Sequence, residues 1–437
     1  MFVGRKKEMS LLNQAYQQPG DMLVVIYGRE GIGKTCLVKQ FVKEKEYVYY
    51  QAREFSEEEQ RNYLDKKKEE LREKVSSGRV CFILDEFDLM LKAHKSFFDE
   101  LGSFLDTLPK GRVLILLVSS AIQWVENAMV EAMGAFSSRI SSFIKVKEFT
   151  FMDMVDRFPD CRTEECITVY AILGGVPAYL NLWNPKETVR RNILRIMLED
   201  TGPMHKEAQR FLKTSLRELS YYSTILTVLA EDEPKLNYLY NRTHFSRAKI
   251  SVYIKNLIQL DVAAKLFSFE PEKKSNVQKG LYTISDSFIK FWYKLIYPNL
   301  SELGMMEPED FYQRFIRPRL GEVIEYAYIR VCREFMELMN QYNRLPARFG
   351  SFASLYGKAG YVPLVARGEK GELLVGECLW SDKPMGMPDF RELLGRIDQI
   401  GREADYYYLF SKSGFTTELA AMAKSMDNIQ CIDLEQM

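Results

Sequence analysis

The stretch Leu23 to Thr35, Leu-Val-Val-Ile-Tyr-Gly-Arg-Glu-Gly-Ile-Gly-Lys-Thr, leaves the chain little choice of fold around it. An apolar, β-branched run ends at Gly28, and after four residues Gly33, Lys34 and Thr35 complete a GxxxxGK[ST] pattern at a strand-to-helix turn. The glycines let successive backbone N–H groups point inward with no Cβ in the way. The helix starting near Lys34 adds its positive end, and the lysine reaches β- and γ-phosphates. The cradle is expected to run through Gly28, Arg29, Glu30, Gly31, Ile32, Gly33, Lys34, Thr35 and Cys36, leaving the Thr35 hydroxyl to hold Mg²⁺. The expected ligand is a nucleoside triphosphate.

A phosphate loop needs acids beside it. Val80-Cys81-Phe82-Ile83-Leu84 is a continuous apolar run, as in a strand buried on both faces of a parallel sheet, and it ends in Asp85 and Glu86. Strand ends of this kind lie at the carboxyl edge of the sheet, where ligands of open α/β folds collect. Asp85 is placed to anchor Mg²⁺ through its water shell, Glu86 to orient and deprotonate an attacking water, and Asp88 to start a helix. Tyr47 to Tyr50 reads as a further strand. Ser56 carries a capping-box pattern for a helix to about Val75, whose Lys66 to Glu70 run reads as a solvated face. Val113 to Val118 forms another strand, ending in Ser119-Ser120, and Ile144 to Val146 a fifth. A polar residue closing a strand inserted between the two phosphate-site strands can touch the γ-phosphate or the lytic water, and Ser120 is that candidate. Arg139, just before the last strand, could stabilise a transferring phosphoryl group in cis or from a neighbouring subunit, or simply pair on the surface.

At 437 residues, the usual domain size gives about three domains. Sixty basic residues balance sixty acidic ones, so no overall field draws the chain to nucleic acid or to an anionic membrane. The seven cysteines are odd in number and scattered, which fits reduced thiols, and none stands with a histidine in a zinc-site pattern. Neither a signal segment nor a membrane-spanning run is visible, and a cytoplasmic location without membrane contact is expected.

Tyr221 to Pro298 reads as a winged helix-turn-helix. Ile225 to Ala230 and Lys235 to Asn241 supply two helices, and Ser246 caps a third in which Ile250, Ile254, Leu257 and Leu260 face a core. Ser268 to Gly280 is expected as the wing. The outward face of the third helix offers Arg247, Lys249, Ser251, Lys255 and Asn256 to duplex DNA. Transmission of nucleotide state or binding of a protein partner stands as the alternative use of this domain.

FVGRKKE, GREGIGKT, FILDEFD, the Ser119-Ser120 strand end, SSRISSFIKV and GGVPAYL occur in an order and spacing similar to the archaeal-type ATPases of the STAND branch of AAA+ proteins, a family that bacteria also carry. The resemblance continues through LYTISD and FWY and covers nearly the whole chain, with Ser119 standing where the family usually has glycine. It implies ATP as the nucleotide, an adenine pocket walled by Phe2, Val3, Gly4 and Arg5, and a Pro177 that contacts the nucleotide and reports its state. It also implies a helical lid and a C-terminal domain similar to PD-(D/E)XK nucleases. There Glu325 and Glu377 match two acidic positions, whereas Pro363 stands at the aspartate and Leu379 at the lysine, so cleavage is not expected.

The expected architecture is therefore α/β: a P-loop NTPase parallel-sheet core over residues 1–150, a helical lid over 151–220, a winged helix-turn-helix over 221–300 and a restriction-endonuclease-like domain over 305–437. The expected function is a slowly hydrolysing ATP switch with an inactive nuclease-like platform, open to a protein partner and to self-association. An ATP-regulated endonuclease, with catalytic groups moved to Lys358, Asp382 or Lys383, and an ATP-gated transcription regulator are the alternatives.

Overall fold

The computed structural model describes residues 2–93, 96–231, 236–269 and 280–437. It forms two compact units, Met1–Phe149 with Val176–Asn181, and Thr150–Gly175 with Leu182–Met437.

The first unit is built on five strands, β1 (Met22–Tyr27), β2 (Tyr47–Gln51), β3 (Val80–Asp85), β4 (Val113–Ser119) and β5 (Ile140–Lys145), in the order β2-β3-β4-β1-β5. Every pairing is parallel. β3 and β4 are buried along their whole length, which is why they read as unbroken apolar runs. One face of the sheet packs Val25, Phe82, Leu84 and Leu117 against Phe97, Phe98, Leu101 and Phe136. Because all strands run the same way, their carboxyl ends share one edge, and β4 lies between β1 and β3 as the reading of Ser120 required. β5 begins earlier than Ile144. As an edge strand it alternates exposed and covered residues, so Ile140 to Phe143 carry no continuous apolar signal. Ser56 caps the helix Glu57–Val75 by accepting from the Glu59 amide at 3.4 Å, and Lys67 pairs with Glu70 on its solvated side.

In the second unit the helix Thr163–Leu173 is apolar nearly all round and packs along the long helix Leu320–Gln341. Glu334 of the long helix accepts from the Phe151 amide at 2.8 Å and the Tyr170 hydroxyl at 3.2 Å. The segment expected as a lid thus shares its core with the C-terminal segment. Helices Leu219–Ala230, Leu236–Thr243 and Arg247–Gln259 precede an antiparallel pair, β6 (Ala263–Phe267) and β7 (Gly280–Ile284). Ser246 accepts from the Lys249 amide at 3.2 Å, and Ile250, Ile254, Leu257 and Leu260 are buried, as the apolar period requires. Lys235 and most of the expected wing, residues 270–279, lie outside the described residues.

The last part carries β8 (Ala353–Gly357), β9 (Gly360–Arg367), β10 (Leu373–Leu379), β11 (Tyr406–Ser411) and β12 (Ile429–Asp433), ordered β12-β11-β10-β9-β8. β10, β11 and β12 are parallel, while β8 and β9 join as antiparallel neighbours. Pro363 sits inside β9, where the missing N–H would break a ladder, and the register against β8 shifts at that point. Among the described residues no helix is long and apolar enough to cross a membrane, and the seven cysteines are free thiols.

Candidate functional site: a phosphate cradle at the sheet edge

The loop leaving β1 turns into the helix Lys34–Phe41 through Gly33, which holds φ +95°, a left-handed conformation that favours glycine. Gly31 has φ +78°, and a Cβ on it would lie 2.9 Å from the Ala178 Cβ. Lys34 is 5% exposed, and its Nζ donates to the carbonyls of Gly28 (2.8 Å) and Arg29 (3.1 Å) and to Ser120 Oγ (2.8 Å). Burial pushes its ammonium below the ordinary lysine value, and Glu86 and Asp85 pull it back. Arg29 and Ile32 turn their side chains inward and Cys36 is exposed, so the loop faces a ligand mainly with backbone. Glu30 is exposed on the loop.

The acids close the other side. Asp85 Oδ2 accepts from Thr35 Oγ1 at 3.0 Å and Tyr49 OH at 2.7 Å, and Asp85 Oδ1 accepts from the Glu86 amide at 3.1 Å. Glu86, itself at φ +52°, accepts from Ser120 Oγ at 2.6 Å and the Ser120 amide at 3.2 Å. Burial raises the Glu86 carboxyl above the usual carboxylate range, against the pull of Ser120 and Lys34. Lys34, Ser120 and Glu86 therefore form one hydrogen-bonded chain across the edge. Ser119 lies behind it, fully buried, donating to Asp88 at 2.7 Å. A threonine hydroxyl, one fixed carboxylate and a row of loop amides suit a phosphate-bound Mg²⁺, a hard cation that takes few protein ligands.

Arg5 differs from its expected part. At φ +63° it turns inward over the Phe149 ring and donates to the carbonyls of Ile32 (2.8 Å) and Lys147 (2.6 Å). It braces the loop from behind, while Val3 is buried, Gly4 is half-buried at φ +66° and Phe2 is 37% exposed. Pro177 opens the helix Pro177–Leu180, and its Cγ lies 3.7 Å from where a Gly33 Cβ would stand. The Ala178 amide donates to the Gly31 carbonyl at 3.2 Å, and Arg29 Nη2 donates to Tyr179 OH at 3.0 Å. The segment Val176–Asn181 is thus seated on the loop.

Arg139 is not at this edge. Ile140 pairs with Leu23 at the beginning of β1, whereas the loop leaves β1 after Tyr27. In a parallel sheet that places Arg139 at the opposite edge, roughly 13 Å away at 3.3 Å per residue. There its Nη2 meets Asp106 at 2.7 Å. Arg139 therefore does not reach the phosphate loop of its own chain.

Tyr49 and Tyr179 were missed from sequence. Alternation along β2 does put Tyr49 on the face opposite buried Val48 and Tyr50, but its Asp85 partner appears only once β2 is known to neighbour β3.

Of the DNA-facing set, Arg247, Ser251 and Lys255 are exposed on the third helix. Lys249 and Asn256 are half-buried: Lys249 Nζ sits 3.2 Å from the centre of the Tyr221 ring, and Asn256 donates to Tyr222 OH at 2.7 Å, while Arg247 donates to Asn237 at 3.3 Å. Two aromatics of the first helix draw them inward. In the C-terminal sheet the β9–β10 ladder ends at the Gly376–Leu364 pair, one residue before Glu377 and Pro363. Glu377 is ion-paired with Arg396, which also donates to the Tyr361 carbonyl at 2.7 Å. Glu325 is exposed, Leu379 is half-buried, and Asp382 pairs with Lys412 at 2.7 Å. Lys358 and Lys383 are exposed.

Residues 2–80 match a family described as an ATPase domain predominantly from Archaea, and residues 292–388 match a family of archaeal and bacterial proteins of unknown function. An uncharacterised protein of Methanocaldococcus jannaschii is 25% identical over 400 residues, covering 87% of this chain and 88% of its own. An uncharacterised ATP-binding protein of the same organism is 40% identical over 45 residues, 10% of this chain and 76% of that protein. Among solved structures, the Walker-type ATPase of Pyrococcus abyssi is similar at 14% identity with a TM-score of 0.49, over 67% of this chain and 96% of that one. The family match over residues 2–80 supports an ATP-binding P-loop ATPase domain in the first unit, whose core is a parallel sheet.

Proposed function

We propose that this chain is an ATP-driven switch that hydrolyses ATP slowly and passes the state of its phosphate site to the second unit. The observation that carries the reading is the seating of Val176–Asn181 on the phosphate loop, between flanking segments that belong to the second unit. Any shift of the loop on binding phosphate is then felt by chain that continues into that unit on both sides.

The residues divide the work as follows. Loop amides and Lys34 bind the phosphates, Lys34 leaving the Gly28 and Arg29 carbonyls to do so. Thr35 and Asp85 would hold Mg²⁺, which, when bound, neutralises charge on the phosphate oxygens. Glu86 turns from Ser120 to orient the water and take its proton, while Ser120 keeps its hydroxyl near the γ-phosphate. Arg139 serves the site of a neighbouring subunit. Slow turnover suits an arrangement in which Ser120 and Glu86, two of the groups needed for chemistry, hold each other.

The segments 151–220, 221–300 and 305–437 act as lid, winged helix and nuclease-like platform in this reading. Pairing of Glu377 with Arg396 supports a platform without cleavage, since a guanidinium already fills the place of a cation. The test is titration of a fluorescent ATP analogue: wild type binds, and Lys34→Ala abolishes binding. Equal affinity in the two proteins would remove the phosphate site.

A further inference from the structure

We propose that Tyr49 is a positioning residue of the Mg²⁺-nucleotide site, its hydroxyl fixing the Asp85 carboxylate so that one lone-pair direction is left for the cation's water shell. The inference rests on the reading of the loop and Asp85 as that site. It goes beyond it by giving a task to a strand that carries none of the motif residues.

An ionised carboxylate offers about four lone-pair directions. In Asp85 three are taken, two on Oδ2 by Thr35 Oγ1 (3.0 Å) and Tyr49 OH (2.7 Å) and one on Oδ1 by the Glu86 amide (3.1 Å). Thr35 can keep this bond while its own lone pair turns toward a metal, since a hydroxyl donates and accepts at once. The Glu86 amide is part of the backbone and stays. Of these three donors, Tyr49 is thus the one side chain that comes from outside the loop helix, on the strand that neighbours β3. Its strand supplies the rigidity. Tyr49 pairs with Ile83 in the parallel ladder, and Gln51 pairs with Asp85 itself, so phenol and carboxylate are held by adjacent, hydrogen-bonded strands. Without that hydroxyl, Oδ2 regains a free lone pair and Asp85 loses a bond that sets its rotamer. Outer-shell partners of this kind typically govern metal affinity by about 10–100-fold.

The neighbouring Tyr50 provides the control. Its side chain lies on the opposite face of β2, in the sheet core, where its hydroxyl bonds Gln60. The experiment uses the full chain and a fluorescent ATP analogue, with binding measured first without divalent cation and then across a Mg²⁺ titration. Direct Mn²⁺ binding in the presence of the analogue is followed by electron paramagnetic resonance. Tyr49→Phe should leave metal-free binding unchanged, move the Mg²⁺ midpoint about tenfold or more upward, and weaken Mn²⁺ binding in step. Tyr50→Phe should move neither. Should Tyr49→Phe fail to fold, Tyr49→Met, which also lacks a donor, carries the same comparison. An unchanged Mg²⁺ midpoint in the Tyr49 variants, or an equal change in Tyr50→Phe, overturns the role of Tyr49 while leaving the site intact. Loss of nothing in Lys34→Ala would overturn the site itself, and that result is read without any Tyr49 variant.

Discussion

Two central strands of this chain end near carboxylates, and their neighbours give those carboxylates opposite fates. At the end of β3, Asp85 and Glu86 meet hydroxyls and amides: Thr35, Tyr49 and Ser120 all donate without bringing a fixed charge. Lys34, a cation close by, gives two of its three N–H groups to loop carbonyls and the third to Ser120, and can swing to a phosphate. Near the end of β10, Glu377 meets Arg396, a cation that cannot deprotonate and that is itself anchored on the Tyr361 carbonyl. Neutral donors leave negative charge for an incoming cation to find, whereas a guanidinium cancels it in place. An acid at a strand end is therefore evidence of a cation site only together with what stands opposite it.

The sharpest way to break this comparison is to remove one acid from each place and follow ATP hydrolysis. Glu86→Gln should retain nucleotide binding and lose about 10²–10⁴-fold of the hydrolysis rate, while Glu377→Gln leaves the rate unchanged. The pH profile should agree. Since burial raises the Glu86 carboxyl, the acid limb of hydrolysis should fall above the ordinary glutamate range. Equal rates in wild type and Glu86→Gln would take the base role from Glu86.

The second expected effect is on stability. Arg396→Ala strands a carboxylate whose side chain is only 12% exposed, a change that costs about 3–5 kcal/mol when a buried pair loses one partner. The sign with pH follows from burial, which raises the Glu377 carboxyl in the folded state. A raised carboxyl adds stability that is fully present below its unfolded value and lost as pH rises through the folded one. The Arg396→Ala deficit should thus be smallest in acid and grow toward neutral pH, as read by denaturant unfolding. A deficit independent of pH would mean that the Glu377 charge is not what the arginine holds.

The half of the phosphate site that is contiguous in sequence was legible from it. Gly28 to Thr35 and Val80 to Glu86 carry their chemistry in local spacing, and a parallel sheet with β4 inserted brings them together. What needed the structure comes from partners distant in the chain. Tyr49 and Tyr179 declare nothing locally, and neither does Arg396, nineteen residues beyond Glu377. Helical period alone put Arg247, Ser251 and Lys255 on the exposed side of the third helix, but it could not foresee the contacts of Lys249 with Tyr221 and of Asn256 with Tyr222. The position of Arg139 was in principle deducible, because a residue that precedes a parallel strand must lie at the edge away from the loop.

In the proposed reading, one acidic strand end takes a cation and the other does not. Mn²⁺ binding to the full chain, followed by electron paramagnetic resonance with and without an ATP analogue, tests it most directly. The account predicts a single site that appears with nucleotide, is lost in Asp85→Asn and is untouched by Glu377→Gln. A site present without nucleotide and lost in Glu377→Gln would contradict it.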